Sequence, residues 1–190
     1  MGKEKNSSGK SVREKILNNR IYPLIFLVLV VLVSVSLMMV IGNMTEAKIV
    51  AEREAEIISQ LKGIFSDMQD YKTAEGYYEI YRNEDVIGFA FTATGKGYGG
   101  DISILIGIDS NYQIKGISIL SNTETPGLGT RITEISFTDQ FKGLGLEDIR
   151  LAKDGGKIDA ITGATISSRA VTDAVRDEIE IKIETIKKNK

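Results

Sequence analysis

The segment Asp159-Ala-Ile-Thr-Gly-Ala-Thr-Ile-Ser167 lies where an extended run of residues gives way to a helical pattern. Gly163 and Ala164 keep the backbone open at this junction, and Thr165 presents a hydroxyl beside the first free N–H groups of the helix. Such a helix start attracts phosphate, because its unpaired donors and its dipole both favour negative charge. The same residues also suit an ordinary helix start, where Thr and Ser accept hydrogen bonds from backbone N–H groups.

A second motif, Thr123-Glu-Thr-Pro-Gly-Leu-Gly129, predicts a tight loop upstream of the first. Pro126 fixes its own φ angle, and Gly127 and Gly129 tolerate backbone conformations that are closed to other residues. The backbone of such a loop can approach a flat ring closely, although a plain surface turn uses the same residue types.

A glycine-rich segment, Gly95-Lys-Gly-Tyr-Gly-Gly100, joins two predicted strands. Its glycines allow a close approach of the backbone to a ligand, and Tyr98 can stack on an aromatic ring or meet its edge. A long hairpin loop would need the same glycines, and the segment is not a P-loop because Gly-Lys-Ser/Thr is absent. For Phe137 and Phe141, which stand further along the chain, core packing is the favoured interpretation.

The first motif closely resembles the flavin-attachment motif of the FMN-binding domain family, Asp-x-x-Ser/Thr-Gly-Ala-Thr-x-Ser/Thr, and fills each of its fixed positions. The string Glu-Thr-Pro-Gly-Leu-Gly is similar to one in two branches of that family. These are the G subunit of the Rnf electron-transport complex and the C subunit of the sodium-translocating NADH:quinone reductase. The short chain with a domain free of insertions looks more like the Rnf branch.

This resemblance implies that Thr165 carries FMN through a phosphoester bond, made from FAD by a separate flavin transferase. It also implies that Asp159 serves that transferase as a recognition residue. The expected cofactor-binding residues come from all three segments: Tyr98, Glu124, Thr125, Gly127, Leu128, Gly129, Thr162, Gly163, Ala164, Thr165 and Ser167.

The composition narrows the chemistry, because the chain has no His, no Cys and no Trp. Without His, imidazole general-base catalysis and the commonest metal ligand are excluded. Without Cys, there is no thiolate nucleophile, disulfide or Cys-ligated iron–sulfur cluster. A redox role must therefore come from a bound organic cofactor, and neither catalytic residues nor metal ligands are predicted.

Residues 22–41 are apolar apart from Ser34 and Ser36, and they carry no charge. About twenty such residues suffice to cross a bilayer core as a helix. A cleaved signal peptide is the alternative, but its apolar core is usually shorter, about 7–15 residues, and ends at a small-x-small site. No convincing site follows Ile41, so a retained anchor is favoured.

The arm before this anchor, residues 1–21, carries six basic side chains against two acidic ones. The positive-inside rule keeps such a short arm in the cytoplasm, so the remainder is expected on the outer face of the cell membrane. That remainder is acidic, which argues against nucleic-acid binding. The predicted organisation is a cytoplasmic arm, a transmembrane helix, a helical connector and an extracytoplasmic FMN-binding domain, at 1–21, 22–41, 42–70 and 71–190.

Hydrophobic periodicity predicts an α+β fold, a mainly antiparallel sheet covered by helices, with one N-terminal transmembrane helix. Helices are expected at 45–65 and 166–188, and 131–142 is expected to be partly helical. Strands are expected at 77–82, 86–92 and 113–120, and four alternating isoleucines place another strand at 102–108 with all four side chains on one face.

The resemblance implies a membrane-anchored electron-transfer subunit of an Rnf-type complex, which moves electrons between reduced ferredoxin and NAD and couples this to ion transport. Its partners would be other membrane subunits and the flavin transferase, without independent substrate turnover. The alternatives are the equivalent quinone-reductase subunit, a free-standing extracytoplasmic flavoprotein, and an anchored interaction module with an empty site.

Overall fold

The computed structural model describes residues 21–189, with the side chains of 42–51, 53 and 189 excepted. The predicted basic arm therefore lies outside the described residues, apart from its last residue. The chain divides into two compact units, Met1–Arg53 and Glu54–Lys190. Helix α1, Tyr22–Ile64, begins in the first unit and ends in the second.

The first unit contains the candidate membrane span. Within α1, the stretch Tyr22–Ile41 is long and apolar enough to cross a membrane, and none of it is buried. Its Ser34 hydroxyl donates to the carbonyl of Val30 at 2.8 Å. This bond satisfies the hydroxyl inside the helix, as an apolar surrounding requires.

The second unit is built on a five-stranded sheet in which each strand pairs antiparallel with the next along the chain. The strands are β1 (Asp70–Ala74), β2 (Tyr77–Arg82), β3 (Asp85–Lys96), β4 (Asp101–Asp109) and β5 (Ile114–Ser121). The predicted antiparallel sheet is thus confirmed. It has one strand more than expected, because the exposed edge strand β1 lacks an apolar pattern.

Helices cover both faces of this sheet. On one face the end of α1 packs Leu61 and Phe65 against Ile80 and Leu105. On the other face lies the larger core, which includes the four isoleucines of β4 and the long helix at the C-terminus. The isoleucines at 102, 104, 106 and 108 are fully buried, as their alternation predicted.

The remaining helices follow β5. They are the 3-10 helix Gly129–Thr133, helix α2 (Ile135–Thr138), three further 3-10 turns and helix α3 (Thr165–Asn189). The partly helical character of 131–142 is confirmed, and Phe137 and Phe141 are buried in the larger core.

The extended run before α3 forms no strand within the described residues. It makes a single parallel bridge, Leu151↔Ile158. The reason is local, because the backbone N–H of Asp159 donates to the side chain of Gln140 at 2.7 Å rather than to a neighbouring strand.

Candidate functional site

Three loops meet at one end of the sheet because of its topology. The hairpin of β3 and β4 closes through residues 97–100, where the N–H of Gly97 donates to the carbonyl of Gly100 at 2.8 Å. The end of β5 pairs with the start of β4, Ser121 opposite Ser103, so the chain after β5 leaves at the same end. Gly95 lets α3 lie directly on β3, since a Cβ there would be 2.5 Å from the carbonyl oxygen of Ala170.

These loops enclose a cavity of about 340 Å³. Tyr98 comes from the β3–β4 turn, residues 163–167 come from the start of α3, and the loop after β5 supplies Glu124, Thr125, Leu128 and Gly129. The volume is in the range of small-molecule and cofactor pockets.

The floor of the cavity is the start of α3. The N–H of Ser168 donates to the carbonyl of Ala164 at 2.9 Å, which makes Thr165 the first helical residue. Helix geometry leaves the first N–H groups of α3 without intrahelical acceptors. Among the described residues, the cavity wall contains no Lys or Arg, so the helix end is the source of positive field for an anion there.

Gly163 gives the junction its shape. Its φ is +83°, a left-handed conformation that L side chains rarely adopt. A Cβ there would also lie 2.9 Å from Cδ2 of Leu128. The glycine of the first motif thus leaves room for a side chain of the second motif.

The hydroxyl groups around the junction differ in their bonding. Ser167 and Ser168 are buried, and the Ser167 hydroxyl donates to Glu124 at 2.6 Å. The Ser168 hydroxyl donates to the carbonyl of Ala164 and accepts from the N–H of Ile161, each at 3.0 Å. Thr165 is half-buried and lines the cavity, and no hydrogen bond of its hydroxyl is recorded within residues 21–189.

Glu124 is a buried carboxylate, 5% exposed, at the edge of the cavity. Besides the bond from Ser167, it accepts a hydrogen bond at Oε1 from the N–H of Gly99 at 3.0 Å. It therefore links the β3–β4 turn to the start of α3.

The mouth of the cavity is apolar and open. Tyr98 is 74% exposed, and Leu128 and Ile166 are also among the exposed large apolar side chains. Free apolar side chains around a concave site favour a flat hydrophobic ligand, because its rings would remove their surface from water.

The structure brings most of the sequence-predicted residues to this cavity. Thr162 and Gly127 lie next to lining residues but are not in the wall, and Asp159 is exposed outside it. Sequence analysis missed the N–H of Gly99 and the side chains of Ile166 and Ser168. Ile166 and Ser168 stand within or directly after the motif, but no motif position assigns them a role.

The chemical groups of FMN can be compared with the residues that line the cavity. A flat apolar ring system matches the apolar mouth, and a phosphate matches the helix start. A hydroxyl without a recorded partner stands at that same start. These features define a site for an aromatic cofactor that ends in a phosphate.

Comparison with known proteins agrees with this class of site. The family model described as FMN-binding domain matches residues 97–180, a range that includes the whole cavity wall. The chain is 31% identical to the G subunit of the proton-translocating ferredoxin:NAD(+) oxidoreductase complex of Clostridium ljungdahlii, over 70% of this chain and 75% of that protein. It is 41% identical to the G subunit of the ion-translocating oxidoreductase complex of Methanosarcina acetivorans, over 55% of this chain.

The chain spans about half of that second relative, 56% of its length. Among solved structures, NqrC of Shewanella oneidensis is similar at 24% identity and a TM-score of 0.48, over 54% of each chain. The chain belongs to the family formed by the G subunits of ion-translocating oxidoreductase complexes. The expected resemblance and FMN as the cofactor are thereby confirmed.

Proposed function

We propose that this chain is the FMN-carrying redox subunit of an Rnf-type ion-translocating ferredoxin:NAD oxidoreductase, with the flavin bound covalently to Thr165. One observation carries the attachment site. Of the motif hydroxyls, that of Ser167 is buried and bonded to Glu124, and Thr162 is outside the cavity wall. Thr165 lines the cavity, and its hydroxyl has no recorded partner in the described part of the chain.

The protein residues hold the cofactor and set its surroundings. The N–H groups at the start of α3 would hold the phosphate, and Tyr98, Leu128 and Ile166 would offer apolar surface to the rings. The bound flavin supplies the electron-transfer chemistry, as organic cofactors do in redox proteins. Among the described residues, Glu124 is the only carboxylate in the cavity wall, so the wall as described offers no acid–base pair for a separate substrate.

The partners follow from membership in a multisubunit complex. The apolar stretch of α1 anchors the chain beside other membrane subunits, and a flavin transferase attaches FMN during maturation. The FMN-binding domain lies on the outer face. A covalent tether is useful there, because a lost flavin could not be replaced from the cytoplasmic pool.

The attachment is tested by Thr165→Val in the full chain expressed with a flavin transferase. We expect loss of one FMN adduct in the intact mass, because the nucleophilic hydroxyl is gone. The unfolding free energy should change by no more than about 0.5 kcal/mol, since the side chain has nearly the same shape and no recorded partner. Thr125→Val is the matched control in the same cavity and should keep the adduct. An adduct retained on Thr165→Val would falsify the assignment.

The proposed recognition of Asp159 by the flavin transferase is tested by Asp159→Ala. Asp159 is exposed, and its backbone rather than its carboxylate makes the recorded bond to Gln140. We therefore expect the domain to fold normally while FMN incorporation falls several-fold under limiting transferase. Glu147→Ala removes another exposed acid outside the motif and should incorporate FMN normally. Equal FMN incorporation in both variants would mean that Asp159 is only a solvated charge without a recognition role.

A further inference from the structure

We propose that Glu124 is a positioning residue, and that the last hydroxyl of the attachment motif, on Ser167, serves to hold Glu124 rather than to contact the flavin. The inference rests on the proposed function, because it assigns a role within the same cofactor site. Glu124, Ser167 and the N–H of Gly99 together are called the brace below.

The geometry of the brace occupies both carboxylate oxygens. Oε2 of Glu124 accepts from the Ser167 hydroxyl at 2.6 Å, and Oε1 accepts from the Gly99 N–H at 3.0 Å. Glu124 and Ser167 are both more than nine-tenths buried. Hydrogen bonds to a charged group are shorter and stronger than neutral ones, and burial strengthens them further.

The backbone closes on the carboxylate from two sides. A Cβ on Gly97 would overlap Oε1 of Glu124, and a Cβ on Gly129 would lie 2.5 Å from Oε2 and 3.0 Å from the Ser167 hydroxyl oxygen. Glycine at these two positions therefore leaves room for the brace. Neither glycine has a left-handed φ, so close contact is the reason for it.

Two donors are the only recorded partners of this carboxylate among the described residues, and no ion pair to a Lys or Arg is recorded for it there. A buried carboxylate depends strongly on each of its donors, because it has left the solvation of water. Removing the Ser167 hydroxyl thus takes away one of the two hydrogen-bond donors to the Glu124 carboxylate.

The brace sets the distance across the cavity. Gly99 follows Tyr98 at the mouth, and Ser167 follows Thr165 by two residues at the floor. A further bond joins the β3–β4 turn to the loop after β5, from the Thr123 hydroxyl to the carbonyl of Gly99 at 3.2 Å. Fixing these two walls orders the flavin site before the cofactor arrives, and pre-ordering lowers the cost of binding.

The test compares Ser167→Ala with Ser167→Thr in the full chain. In the chain without flavin, we expect the Gly99 amide to exchange hydrogen at least about tenfold faster in Glu124→Ala, the factor for losing a bond to a charged group. Ser167→Ala should also make the Gly99 amide exchange faster. Ser167→Thr should rescue the wild-type rate, because it keeps the hydroxyl. The β4 amides report whether a change is confined to the site.

In the flavin-loaded chain, Ser167→Ala should keep the Thr165 adduct, yet show lower flavin fluorescence anisotropy and a changed reduction potential. Ser167→Thr should resemble wild type. Equal Gly99 exchange in Ser167→Ala and Ser167→Thr would overturn the brace, even if Glu124→Ala unfolds the domain. If wild type itself carries no adduct, the proposed function fails, while the exchange comparison still decides the brace.

Discussion

At the scale of single residues, the two glycines of the loop after β5 are needed for different reasons. Gly127 has a φ of +75° and open space where a Cβ would stand. Gly129 has no left-handed φ, but a Cβ there would lie 2.8 Å from Cβ of Glu124. From the sequence, unusual backbone conformations were expected at both glycines, and a left-handed φ is found at Gly127 only.

This difference predicts a split between Gly127→Ala and Gly129→Ala. The first should lower the unfolding free energy by about 1 kcal/mol through left-handed strain, and should leave the flavin spectrum unchanged. The second should cost about 1–3 kcal/mol through overpacking and should also shift the flavin spectrum, because it displaces Glu124. Thermal unfolding and visible absorption measure the two effects. A wild-type flavin spectrum in Gly129→Ala would mean that Glu124 can move without consequence for the cavity.

Most of the residues that the motifs point to line the cavity, and their roles toward a flavin remain predictions. The motif spacing indicated Thr165 and Gly163 as site residues, because a loop-to-helix junction is formed by residues close together in sequence. Contact of Glu124 with the flavin remains a prediction. The bond between Glu124 and the Gly99 N–H joins residues distant in sequence, and its donor is a backbone group that exists at nearly every position. No pattern distinguishes such a donor.

At the scale of elements, Asp67, three residues after the end of α1, bonds to two strands of the sheet. Its carboxylate accepts from Lys115 on β5 at 3.1 Å and from Arg82 on β2 at 3.0 Å. The hydrogen bond from Lys115, with a further bond from the backbone and the charges of both cations, lowers the pKa of Asp67 below its ordinary 3.8. The ionised carboxylate is therefore favoured in the folded state.

This lowered pKa predicts an acid-sensitive contribution to stability. The contribution is fully present above the unfolded-state pKa of 3.8, and it is lost as the pH falls through the lower folded-state value. Asp67→Asn should therefore be less stable than wild type at neutral pH, and the difference should shrink below about pH 4. Urea unfolding at both pH values measures it. The control is Asp70→Asn, whose recorded bond is to a neighbouring N–H, and a constant Asp67→Asn difference would contradict the mechanism.

Elements with strong periodicity were predicted well, and elements without it were not. The alternating isoleucines of β4 predicted a strand, and the helical spacing of apolar residues in α3 predicted a helix. Both predictions are confirmed, because each element buries one regular face. β1 was missed because its side chains are exposed or half-buried at the edge of the sheet. After the single bridge Leu151↔Ile158, the backbone of Asp159 bonds to the side-chain amide of Gln140 instead of to a strand, and hydrophobic patterns do not indicate such a bond.

At the scale of the whole molecule, the predicted orientation in the membrane rests on charge rather than on the fold. Residues 1–21 hold six basic side chains before the apolar stretch Tyr22–Ile41, and this asymmetry predicts a cytoplasmic arm. A reporter that is active only outside the cytoplasm, fused after Lys190, should therefore be active. The same reporter fused after residue 21, without the apolar stretch, should be inactive.

A charge variant sharpens the topology prediction. Replacing the six basic residues of the arm by Gln should lower reporter activity after Lys190, because the bias that retains the arm is removed while the apolar stretch is intact. Replacing the five Lys and Arg residues of α3 by Gln should not lower it, since long domains translocate largely regardless of their charge. A cytoplasmic reporter in the otherwise unaltered chain would reverse the orientation. It would also remove the reason for a covalent tether, because a flavin domain inside the cell could refill from the free pool.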